Sequence, residues 1–189
     1  MESLVTYLLA AMVAWVSPSM QKQHEPPEDA QARYEAIARD VAAVVLDEDE
    51  TPIFTGPGGR ARTALLLLSV ASYESYFRKD VDDGTRLGDH GRSFCLMQIH
   101  VGDGVTREGW SGPELVADRK RCVRAALHIL LGSFGACRRL PLDDRLSAYA
   151  TGRCEEGSDA SRARVGRARK WWEAHGVPKD PQGAASGVP

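Results

Sequence analysis

The chain reads as a single, mainly α domain with at most a small β-hairpin, and three observations predict this. Stretches of helical length with apolar residues on one face or all round recur between residues 30 and 175. The 189 residues, 43% of them hydrophobic, supply one core with trimmings at both ends. A single long irregular segment rich in Asp and Gly, residues 78–103, interrupts the helical pattern and leaves room for a strand.

Taken in order, residues 1–28 form an apolar segment and linker. Residues 4–16 are a run of 13 that is too short to span a bilayer and is followed by Ser17, Pro18 and Ser19. Its length is that of a signal-peptide core, but only Glu2 precedes it and no positive charge. The alternative is a helix packed on the domain or on a membrane surface. After Glu25-Pro26-Pro27-Glu28, residues 30–46 place Ile37, Val41, Val44 and Val45 on one helical face. Residues 61–77 are apolar on nearly every side, which predicts a buried helix. Further helices are predicted at 113–134, 142–149 and 158–175, the last closed by Gly176 and Pro178. Within the irregular segment, residues 95–99 suit a short strand paired with residues near Arg86. The domain thus spans 29–177, and the Gly, Ala, Pro and Ser of 178–189 predict a disordered tail.

With 24 basic and 26 acidic residues the net charge is −2, so no overall field argues for nucleic acid. The basic run 162–170 and the acidic runs 47–50 and 80–89 are read as solvated surface, with a basic face toward an anionic polymer as the sharper reading. Cys95, Cys122, Cys137 and Cys154 show no metal-site spacing. A helix over 121–134 that reaches Cys137 would hold Cys122 and Cys137 about 22 Å apart, so each pairs, if at all, with Cys95 or Cys154.

The residue that breaks the pattern is Glu74, one charge at the far end of the most apolar helix. Buried there, a carboxylic acid stays protonated and serves as a general acid. The plainer alternative is a helix-end Glu that faces water or pairs with Arg78 one turn on. Some fifteen residues later comes Asp89 in a Gly-rich loop, with Ser93 and Gln98 as neutral hydrogen-bonding groups. One proton donor and a second carboxylate across a cleft are the equipment for cleaving a glycosidic bond.

Glu74-Ser75, the stretch GDHGRSFCLMQI from Gly88 to Ile99, and AYATG from Ala148 to Gly152 resemble the motif series of the soluble lytic transglycosylase and goose-type lysozyme superfamily. ARKWWEAHG from Ala168 to Gly176 resembles the last helix of the goose-type branch. The likeness runs from about residue 61 to 176. It implies a lysozyme-like fold, mainly α or α+β if the hairpin is counted. The activity it implies is cleavage of the β-1,4 bond between N-acetylmuramic acid and N-acetylglucosamine in peptidoglycan. By this resemblance Glu74 is the catalytic acid and Asp89 places water, while Ser93, Met97, Gln98, His100 and Tyr149 contact the sugar. Three positions depart from the pattern: Cys95 stands for Gly, Ala150 for Asn, and His100 for a second Asp of the goose-type branch.

The expected partner is therefore the peptidoglycan glycan strand, with no nucleic acid, no membrane span, no cofactor and no metal. The protein is expected to be a monomer in the periplasm, secreted, or carried on a phage particle. Its product is either a hydrolysed or an anhydro-sugar end. The alternatives are a catalytically weak peptidoglycan-binding module and an enzyme on another N-acetylglucosamine polymer such as chitin. Asp80, Asp82, Asp83 and Gly84 resemble the start of a calcium loop, but the twelfth position is Gly91 and offers no carboxylate. His90, His100 and Asp89 as zinc ligands are set aside in favour of plain hydrogen bonding, and His128 is read as a satisfied core or boundary histidine. Trp171 and Trp172 cannot both face the core of one helix.

Overall fold

A computed structural model describes residues 1–154 and 157–179. Eight α-helices and one two-stranded sheet are formed among them: α1 (Glu2–Trp15), α2 (Pro27–Leu46), α3 (Gly59–Glu74), α4 (Lys79–Asp82), β1 (Ser93–Phe94), β2 (Ile99–His100), α5 (Gly112–Ala117), α6 (Arg119–Ala136), α7 (Ser147–Thr151) and α8 (Asp159–His175). The fold is mainly α, as its composition and periodicity predict.

Helix α3 is the hub. Leu65, Leu66, Leu67 and Leu68 are all completely buried, because α1, α2 and α8 pack around it on different sides. It starts where Gly58 takes a left-handed conformation, and a β-carbon on Gly59 would lie 2.2 Å from the Phe54 carbonyl oxygen, so the close approach requires glycine there. It stops at Glu74, three residues earlier than expected. Tyr76 and Phe77 adopt positive φ of 52° and 51°, and Phe77 turns inward against Tyr34 at a ring separation of 5.4 Å. The aromatic pair that seemed to extend the helix belongs to the turn that ends it.

The N-terminal apolar run is described as a helix packed on the domain. Leu8, Ala11 and Met12 of α1 are fully buried against α2 and α3, so core residues extend N-terminal of residue 29. No helix among the described residues is long and apolar enough to cross a membrane.

Two further predicted helices are subdivided. Residues 113–134 become α5 and α6, broken at Asp118, whose extended backbone lets its carboxylate accept from the Lys120 and Arg121 amides at 2.9 and 3.3 Å. Residues 142–149 become a 3-10 turn, Leu142–Asp144, followed by α7. Of the strand expected at 95–99 only Ile99 is in a strand, and residues 95–98 are instead the turn of a hairpin: β1 and β2 flank it, pairing Ser93 with His100 and Phe94 with Ile99. The apolar Leu96 and Met97 fold into the core from that turn, which is why the run looked like a strand. Gly88, two residues from Arg86, bridges to Ser93.

Disulfides join Cys95 to Cys122 and Cys137 to Cys154. The first fastens the hairpin turn to the start of α6, and the second fastens the end of α6 to the segment beyond α7. Of the tail expected to be disordered, residues 180–189 lie outside the described residues.

Candidate active site

The apolar character of α3 buries it to its last turn and so delivers Glu74 to the edge of the core. There the carboxylate is not the isolated acid that the sequence suggested. About a fifth of the side chain, 21%, is exposed, and Arg164 of α8 pairs with it at 2.8 Å. Arg78, the partner considered from sequence, pairs with Asp80. The Tyr149 hydroxyl from α7 donates to Glu74 at 2.9 Å. Both donors reach the same oxygen, Oε1, and Oε2 accepts no hydrogen bond from the described residues. Burial first, and then the Glu74 carboxylate, push the Tyr149 phenol far above its ordinary range, so this hydroxyl stays a proton donor.

Two cavities meet at this carboxylate. One, about 450 Å³, is lined by Glu74, Gln98, His100, Tyr149, Ala150 and Arg164 among others. The other, about 410 Å³, is lined by Glu74, Tyr73, Tyr76, Arg86, Asp89 and Gln98 among others. Glu74 and Gln98 belong to both, so they sit at the waist of a groove with room on either side. Volumes of this size suit small-molecule or sugar units.

The hairpin that carries Gln98 is built from backbone that side chains usually avoid. Among the described residues six non-glycine residues have positive φ, namely Tyr76, Phe77, Asp89, His90, Cys95 and Gln98, and all fall between positions 76 and 98, in the hairpin turn and the segment that leads to it. Such conformations cost free energy and concentrate at ligand-binding and catalytic sites. Gln98 is further fixed by its Nε2 donating to the Cys95 carbonyl at 3.1 Å. Gly88 is needed for the same reason: a β-carbon there would lie 2.0 Å from Gln98 Oε1.

Asp89 faces His100 across the hairpin, with Oδ2 and Nδ1 2.6 Å apart and both side chains about half exposed. Asp89 lines one cavity and His100 the other, so the pair straddles the groove. Thus Glu74, Asp89, Gln98, His100 and Tyr149 line the groove. Ser93 and Met97 do not: Ser93 is buried in the backbone ladder with Gly88 and His100, and Met97 is a core residue. Met97 follows the hairpin turn inward because its neighbours in space are apolar.

Sequence reasoning missed Arg164, which sits 90 positions after Glu74 in a basic run read as solvated. It also missed Tyr73, Tyr76, Arg86 and Ile129 as lining residues. No local signal marks Arg164, since only the packing of α8 on α3 brings it in. The carboxylates of 80–83 have separate cationic partners: Arg78 with Asp80, Arg119 with Asp82, and Lys79 with Asp83. Among the described residues no three His, Cys, Asp or Glu side chains converge as a metal cluster. Compared with protein-family models, curated proteins and solved structures, the chain matches none.

Proposed function

We propose that the protein cleaves peptidoglycan glycan strands at the β-1,4 bond between N-acetylmuramic acid and N-acetylglucosamine, with Glu74 as the acid. The observation that carries the reading is the placement of Glu74 at the waist of a two-sided groove, with Oε1 held by Tyr149 and Arg164 and Oε2 without a hydrogen-bond partner among the described residues. Sugar units on either side of the waist bring the linking oxygen to Oε2. The acid gives its proton to that oxygen as the bond to the sugar carbon breaks. Positive charge at the sugar carbon is then relieved either by water held beside Asp89 and His100 or by a hydroxyl of the substrate itself. The attacking oxygen loses its proton, which returns to Glu74. Gln98, with an amide that both donates and accepts, serves the hydroxyl and acetamide groups of the sugars.

The two disulfides are cross-links that persist in oxidising compartments. They support a site of action outside the cytoplasm, where peptidoglycan lies.

One observation favours a second reading, a peptidoglycan-binding module without turnover. An ion pair needs Glu74 charged, whereas a general acid needs it protonated, and Arg164 makes that ion pair. The two readings separate in a turbidity assay on purified cell walls. Cleavage predicts clearing by the wild type and its loss, by at least about a hundredfold, in a folded Glu74→Gln variant. Wall binding without clearing by either protein supports the second reading and rejects the first.

A further inference from the structure

A third cavity, about 420 Å³, lies on the face of α8 that looks toward the ends of α1 and α3. Its walls are aromatic: Trp15, Tyr73 and Trp171. Its rim is cationic, and among the described residues no carboxylate lines it. The Arg167 guanidinium lies over the Tyr73 ring, 4.1 Å from the centroid, and its Nη1 donates to the Ser72 hydroxyl at 2.6 Å. Of the cations that line it, Arg162 is paired with Asp144 and Asp159, whereas among the described residues neither Arg167 nor Lys170 is in an ion pair, although Arg164 and Arg169 of the same helix also have carboxylate partners.

The floor is Gly166. It is buried within α8, yet a β-carbon there would meet no atom outside its own helical turn within 4 Å. Glycine in a helix interior is destabilising relative to alanine, and here packing does not require it. The absent side chain leaves a hollow instead. An apolar hollow with aromatic walls and unpaired cations at its mouth fits a ligand that carries carboxylates on a partly apolar body.

The position of the cavity narrows the ligand. Tyr73, which forms one wall, also lines the groove beside Glu74. A substituent of a polymer lying in that groove reaches the hollow by passing over Tyr73. Resting on the reading of the groove as a peptidoglycan site, we infer that the hollow binds the carboxylate-bearing peptide attached to the glycan strand. Lys170 and Arg167 take the carboxylates, and Trp15 and Trp171 take the aliphatic parts. The protein then prefers strands that still carry their peptides.

The test has two arms on the full chain. In the first, the peptide freed from the strands is titrated while tryptophan fluorescence is followed, since Trp15 and Trp171 form the walls. The acid form is expected to bind saturably, and its carboxyl-amidated form at least about tenfold more weakly. Gly166→Leu, which fills the hollow, and Lys170→Glu at the exposed rim are each expected to weaken the acid form by about tenfold or more. Helical circular dichroism and melting temperature establish that both variants fold. In the second arm, the wild type is expected to cleave peptide-bearing strands about tenfold faster in kcat/KM than strands stripped of peptide, and Gly166→Leu to equalise the two without changing the rate on stripped strands. Absence of peptide binding, or binding unchanged in folded Gly166→Leu and Lys170→Glu, overturns the inference. Peptide binding as expected with no strand cleaved leaves the hollow standing and rejects the catalytic reading of Glu74.

Discussion

Cys95 joins two demands at one position. Its φ of 59° is in the left-handed region that glycine occupies freely, and its sulfur is bonded to Cys122. A residue other than glycine costs roughly 1 kcal/mol there, and the disulfide closing a separation of 27 residues returns about 3.5 kcal/mol. Cys95→Ser loses the cross-link and keeps the strain, whereas Cys95→Gly loses the cross-link and relieves it. Urea denaturation is therefore expected to find Cys95→Gly more stable than Cys95→Ser by about 1 kcal/mol. Equal stabilities would remove the strain argument. At Gly88 the reason for glycine is contact with Gln98. Gly88→Ala is expected to displace the Gln98 amide and raise KM for glycan strands several-fold, with melting temperature little changed. An unaltered KM would show that Gln98 does not hold substrate. The residues of this hairpin were legible as a candidate site because Gly, charge and a lone amide meet an apolar run there. Arg164 was not, because its neighbours in sequence are other surface cations and its partner lies in another helix.

Among the elements, the long helices were readable because burial of one face imposes a 3.6-residue period on the sequence. The ends and breaks were not. Asp118 interrupts an apolar period that continues on both sides of it, so only the capped backbone reveals two helices where one is expected. Removing that cap with Asp118→Ala is expected to cost about 1 kcal/mol in chemical denaturation, since two amides lose their acceptor. Helix α6 also carries His128, which lies between Glu50 at 2.9 Å and Glu108 at 2.7 Å. Burial pulls its pKa down, but the hydrogen bonds and charges of the two carboxylates outweigh that and raise it above the usual imidazole range. A raised folded pKa contributes stability that is complete below the unfolded pKa and is lost as pH rises through the folded value. The stability gap between wild type and His128→Gln is therefore expected to be larger near pH 5.5 than near pH 8.5, by no more than about 1 kcal/mol because the imidazole is a third exposed and partly screened by solvent. A gap that widens with pH would contradict the clamp.

At the scale of the whole molecule, the parts form one body because α3 is surrounded. Leu67, completely buried at its centre, is expected to cost about 2–5 kcal/mol on replacement by Ala, measured by denaturation. The N-terminal run could not be assigned from sequence because 13 apolar residues look alike in a signal segment and in a packed helix. Its burial against α2 and α3 is a tertiary fact. The mainly α fold and the order of Glu74, Asp89, Gln98 and Tyr149 along the chain were legible, whereas the groove that joins them arises only when α7 and α8 close on α3. That closure is what gives one carboxylate oxygen two donors and leaves the other open.

The most direct measurement is mass spectrometry of purified peptidoglycan digested by the wild type and by Glu74→Gln at matched folded concentration. Soluble disaccharide-peptide fragments, ending in either a reducing or an anhydro N-acetylmuramic acid, are expected from the wild type and none from the variant. No fragments from the wild type, or the same fragments at an undiminished rate from Glu74→Gln, would contradict cleavage with Glu74 as the acid.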